Sequence, residues 1–127
     1  MSSLMERIAE HIDDIGLGKY DRDGTTGTIF VEALPNTPDN CIAIYNRYGQ
    51  FTVDGTRLME IQLLVRDRVR MNAHIIGCKL VKAFYHKDML KLGEYTVIEC
   101  ECESSPIFIG SDGQDRYEFS INLKMEV

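Results

Sequence analysis

Four cysteines and three histidines are the residues best suited to metal binding or nucleophilic chemistry in this 127-residue chain. Cys100 and Cys102 stand two apart on an expected strand, so they share a face at roughly 6.5–7 Å along it. Cys41 and Cys78 are isolated, and His11, His74 and His86 occur singly. A zinc site requires a second Cys or His pair at metal spacing. The thiols therefore read as packing groups of a reducing compartment. Asp13-Asp14 and Asp21-Arg22-Asp23 bring carboxylates together, but beside a helix end and in a turn, where solvated surface is the simplest reading. Residues 112–115 are too few for the six or more oxygens of a calcium loop. Gly16-Leu17-Gly18 follows a helix rather than a strand, which aims its amides away from any pyrophosphate. With no phosphate loop, His-Glu helix pair or nucleophile elbow, the chain is expected not to be an enzyme. No catalytic, cofactor-binding or metal residue is assigned.

Charge narrows the partners. The formal net charge is −6 and the pI about 5.0, a poor basis for gripping phosphates, which takes clustered Lys and Arg. Arg66, Arg68 and Arg70 come closest, and they read as a solvated helix start interrupted by Asp67. The composition, 44% hydrophobic and 27% charged, is that of a globular domain. No apolar run approaches the ~20 residues that a membrane-spanning helix needs. The first fourteen residues carry acids and lack the basic-then-apolar order of a signal peptide, so residence in the cytoplasm is the expectation.

The elements that position these residues centre on residues 59–85. Ile61, Leu63 and Val65 alternate with Gln62, Leu64 and Arg66, the period of a strand. Beyond Asp67 the period becomes helical, with Ala73, Ile76, Gly77, Leu80, Val81 and Phe84 on one stripe, and Asp67 is a candidate N-cap. An earlier helix is announced by the capping-box spacing of Ser3 and Glu6. Its stripe is Leu4, Met5, Ile8, Ile12 and Ile15, and Gly16 and Gly18 end it.

Residues 28–33 read as a strand, residues 35–40 as a rigid loop with two prolines, and residues 41–45 as a short apolar strand. Residues 46–57 read as a polar loop. The aromatic groups Tyr48 and Phe51, with Val53, make it either a folded-over lid or a contact surface. Residues 86–93 read as a connection. Residues 95–103 read as a strand, with Thr96, Ile98, Cys100 and Cys102 on one face and Tyr95, Val97, Glu99 and Glu101 on the other. A short strand at 107–110, a turn at 111–115 and a long half-buried strand from Arg116 complete the chain. The expected fold is a single α+β domain over residues 1–127. It is a two-layer sandwich in the order α-β-β-β-α-β-β-β, with two helices on one face of a mainly antiparallel or mixed sheet.

Three stretches in this order carry a family resemblance. They are LPNTPDNCIAIYN, then IQLLVRD leading into the second helix, then SSPIFIGSDGQDRYEFSINLKM. Together they resemble a family of phage minor capsid proteins, the tail terminators of long, non-contractile bacteriophage and prophage tails. The resemblance covers nearly the whole chain. It implies a ring of copies, usually six, that caps the tail tube and docks to the head connector, with DNA passing through without specific binding. Partners would be other copies of the chain, the tail tube protein and the connector or stopper protein, with no cofactor and no membrane. The protein would reside in the host cytoplasm during assembly and then at the head–tail junction of the virion. Candidate subunit contacts are Tyr48, Phe51 and Val53, the face of Tyr95, Val97, Glu99 and Glu101, and the edge strand with Phe108 and Ile109.

Two other readings stay open at this point. One is a head-completion or stopper protein, or another minor capsid protein, at the same joint. The other is a small ligand-binding or enzymatic α+β domain with a pocket between sheet and helices.

Overall fold

The computed structural model describes residues 3–23 and 26–127. Helix α1 (Leu4–Asp14) leads into β1 (Ile29–Val31), β2 (Cys41–Phe51) and β3 (Arg57–Asp67). Helix α2 (Arg70–Phe84) then precedes β4 (Lys87–Leu92), β5 (Tyr95–Cys102), β6 (Ile107–Ser111) and β7 (Tyr117–Glu126). The fold is α+β, as the sequence predicts. The strands form one sheet in the order β1-β2-β3-β7-β5-β4, and β6 also pairs with β7. Among the strand pairs of the described residues, β1 with β2 is parallel, extended by a single parallel bridge from Tyr20 to Ile29, and the others are antiparallel.

Helix α1 begins where the capping box expects it, with Ser3 accepting from the Glu6 amide and the Glu6 carboxylate accepting from the Ser3 amide. Leu4, Met5, Ile8, Ala9 and Ile12 are buried. Ile15 falls off this stripe, because it is the C-cap residue and is 42% exposed. Along α2 the fully covered positions are Ala73, Gly77, Leu80 and Phe84, a helical stripe laid on β3, β7 and β5. Asp67 is not the N-cap. Val69 occupies that position without a side-chain bond, and Asp67 turns the chain just before it by accepting from the Val69 amide at 2.9 Å. Gly77 lets α2 approach closely, since a Cβ there would lie 3.0 Å from Cγ of Pro106. The two helices meet where the His11 ring stands edge-on to Phe84.

The helix-side face of the sheet supplies the rest of the core. Ile42, Ile44, Met59, Ile61, Leu63, Val65, Phe119, Ile121, Leu123 and Met125 belong to it, in register across three strands.

Three segments differ from the sequence reading. Strand β2 does not stop at Tyr45 but continues to Phe51, so residues 46–57 are mostly the arms of a long hairpin rather than a loop. A bulge between Asn46 and Tyr48 shifts the register and hides the alternation from a reader counting by two. The hairpin turn is closed by Asp54, which accepts from Thr52 Oγ1 and from the Thr56 hydroxyl and amide.

Residues 86–93, read as a connection, contain β4, which pairs with β5 across a two-residue turn at Gly93 and Glu94. Gly93 has φ 60°, as the first position of a II′ turn requires. A Cβ on it would also strike the Arg7 side chain at 2.5 Å. The extra strand makes the order α-β-β-β-α-β-β-β-β.

The faces of β5 also differ. Val97 is fully buried with Cys100 and Cys102, while Ile98 and Glu99 are both exposed. The face switches where the partner strand is distorted at Met89, whose φ is 52°. Val97 therefore belongs to the core, and Ile98 does not.

Candidate assembly surface

The residues with catalytic potential are dispersed or locked. Burial pushes the Cys100 thiol up to about 12, and it raises Cys41 and Cys102 as well. Cys78 is exposed, with Sγ 3.6 Å from Nε2 of His74 one helical turn away. Among the described residues, no three His, Cys, Asp or Glu side chains are placed to hold a metal ion. The turn at residues 112–115 serves a structural purpose. Burial would raise the Asp112 carboxyl, but bonds from the Gln114 and Arg116 amides and from the Arg116 guanidinium outweigh it and hold it low.

Two arginines do unexpected work. Arg66 is 3% exposed, contrary to the solvated helix start expected of it. It lies on the outer, helix-free face and donates to the carbonyl oxygens of Pro35, Pro38 and Asp39 at 2.6, 2.7 and 3.1 Å. Arg116, 4% exposed, donates to Asp112 at 2.8 Å and to the Asn36 carbonyl and side chain. Arg68 adds an ion pair to Asp39 at 2.5 Å, which holds that carboxyl below its usual range. The proline loop, the start of α2 and the turn before β7 are thus fastened into one corner. The alternation Gln62, Leu64, Arg66 puts Arg66 on the outer face, but the loop that covers it there is a tertiary fact with no local signal.

The proposed contact residues fall in separate places. Phe51 is 74% exposed and Val53 fully so, at the tip of the β2–β3 hairpin. Tyr48 lies on the outer face opposite Glu60. Sequence reading missed Leu58, 45% exposed on the adjoining strand. Phe108 packs its ring on Phe119 and Tyr117 on the helix side, yet half of it stays uncovered, as do Ile107 and Ile109. Ile107 too was outside the expected set. Tyr95 is half-buried, and Val97 drops out of the surface.

Glu99 and Glu101 join Glu60, Glu126 and Lys124 around a shallow concavity of about 520 Å³ on the outer face, with Tyr48, Gln50 and Leu58 at its rim. Glu101 accepts from Nδ1 of His86 at 2.7 Å, and this bond raises the His86 pKa.

The core is closed, burial raises the pKa of the three buried thiols, and large apolar groups stay uncovered on strands at the rim, an arrangement suited to contact between proteins. The chain is matched over residues 11–127 by the family model for bacteriophage tail terminator protein, and it belongs to that family. No curated protein matches it. The family is structural, which places the protein's role in the virion tail.

Proposed function

We propose that the protein forms a ring, of six copies, that caps the finished tail tube and presents the docking surface for the head connector. The observation that carries this reading, beside the family, is the uncovered apolar set Tyr48, Phe51, Val53 and Phe108 on a chain whose core is already complete. Such groups gain by leaving water, each by about 1.5–3 kcal/mol when fully covered. Heterologous contact between copies would cover them, one surface meeting a different one on the next subunit. Tube protein, connector and further copies of the chain are the partners. DNA passes the bore without being held, and the outer sheet face with Glu60, Glu99, Glu101 and Glu126 is the surface suited to line it. Carboxylates facing phosphates repel them. Assembly takes place in the host cytoplasm.

The test is a tube-growth assay followed by electron microscopy. Added protein should arrest tubes at fixed ends, and the variant Phe51→Ser with Val53→Ser should leave them growing while its thermal unfolding matches the parent. Tubes that lengthen equally with and without the protein overturn the reading.

A further inference from the structure

The sheet has several free margins, and they are not alike. Edge strands invite pairing with other chains, and proteins blunt them with charges, kinks or short length. Strand β4 is blunted: Lys87, Asp88 and Lys91 lie on it, and Met89 is kinked into the left-handed region. Strand β1 is only three residues long. It covers β2 from Ile42 to Ile44, and Glu32 caps the Asn46 amide at 2.8 Å. Beyond that point, among the described residues, no strand lies beside residues 48–51 on the side away from β3. Likewise β6 has β7 on one side and no described strand on the other. These two open runs, Tyr48-Gly49-Gln50-Phe51 and Ile107-Phe108-Ile109-Gly110-Ser111, contain no charged residue. Each is associated with one bulge, at Arg47 and Ile109. Neither carries a charge that pairing would bury.

Their directions fit one another. Strand β6 is antiparallel to β7, β7 to β3 and β3 to β2, so β6 and β2 run in opposite senses at opposite margins of the sheet. Moving one copy sideways onto the next therefore sets β6 antiparallel to β2, with both helix layers on the same face. Phe51 and Phe108 then meet on that face, since Phe51 lies opposite Arg57 on the Met59 side and Phe108 opposite Phe119. With these rings together, Asp112, which opens the acidic turn after β6, arrives beside Arg47, four residues from each ring. Opposite charge thus flanks an uncharged seam. The two runs occupy diagonal corners, so successive copies are stepped, and a ring closes when the strands tilt against its axis as in any barrel.

We infer that β6 of one copy pairs antiparallel with residues 48–51 of β2 in the next, joining the subunit sheets into one continuous belt. This rests on the ring reading above, and it names the two surfaces that reading requires.

The test uses the full chain with Cys78→Ser, which removes the exposed thiol. Gln50→Cys and Ile109→Cys are introduced together or singly, and the protein is treated with a short bismaleimide in the presence of tail tubes. The double variant should give a covalent ladder ending at the ring's copy number. A mixture of the two single variants should give dimers only, and each single variant alone should give none. Crosslinking of either single variant alone, or of Gln50→Cys with Met89→Cys in place of Ile109→Cys, overturns the proposal. So do rings visible by electron microscopy without the ladder, and in that case the ring reading stands. Absence of rings from the parent protein at the tube ends overturns both.

Discussion

Arg66 shows how one side chain fixes a loop that has little secondary structure of its own. Its guanidinium supplies donors to three carbonyls that the covered loop would otherwise leave unpaired. Hydrogen bonds to charged groups contribute about 1.5–3 kcal/mol each. Arg66→Met should therefore destabilise the protein by about 2–4 kcal/mol in urea unfolding, since the freed carbonyls can recover only part of this from water. Arg70→Ala, at an exposed position, should stay within about 0.5 kcal/mol of the parent.

The histidines should titrate apart. His86 is raised above 6.5 by its bond to Glu101. Its contribution to stability is therefore complete below pH 6.5 and is lost as pH rises through the folded value. His11 is lowered from 6.5 by burial, with Asp14 opposing. Its effect has the other sign: stability falls as pH drops from 6.5 toward the folded value. NMR titration should place His86 above 6.5 and His11 below it, and Glu101→Gln should return His86 toward 6.5 while leaving His11 unmoved.

At the scale of elements, the chain advertises whatever depends on local periodicity. The capping box, the α2 stripe and the five-pair alternation of β7 are all legible, because each is written in neighbouring residues. Distal β2, strand β4 and the faces of β5 are not. Arg47 and Met89 interrupt the two-residue period there, and only pairing with β3 or β5 restores a strand. For the same reason simple alternation puts Val97 on the face of Glu99 and Ile98 on that of Cys100, whereas Val97 is buried with Cys100 and Ile98 is exposed.

Gly77 gives a test of element packing. An alanine would gain about 1 kcal/mol of helix propensity, and its Cβ would press on Pro106 at 3.0 Å. Pro106 lies between β5 and β6 rather than within either, so it can yield by tenths of an ångström. Gly77→Ala should remain within about 1 kcal/mol of the parent. Gly77→Leu must displace Pro106 and Ile121 and should cost about 1–3 kcal/mol. Thermal unfolding of the two variants distinguishes a yielding contact from a rigid one.

For the whole molecule, charge and open edges divide the labour. A net charge of −6 is a poor basis for gripping nucleic acid, and the carboxylates around the outer-face concavity gather part of that charge on one surface. Replacing Glu60, Glu99 and Glu126 by Lys should create DNA retention that weakens steeply with salt, read by electrophoretic mobility against an unretained parent. Unchanged mobility of the assembled variant would show that this face lies away from the bore. The net charge and the shared face of Glu99 and Glu101 are legible in the sequence, and the family resemblance implies the ring; that Glu60 and Glu126 join those acids depends on the pairing of β3, β7 and β5, which has no local signal.

Cryo-electron microscopy of tail tubes grown with the protein tests the proposed ring. A closed ring is expected at one end of each tube, with β6 and the β2–β3 hairpin of neighbouring copies at every subunit joint. Protein spread along the tube wall, or tubes ending bare, would contradict it.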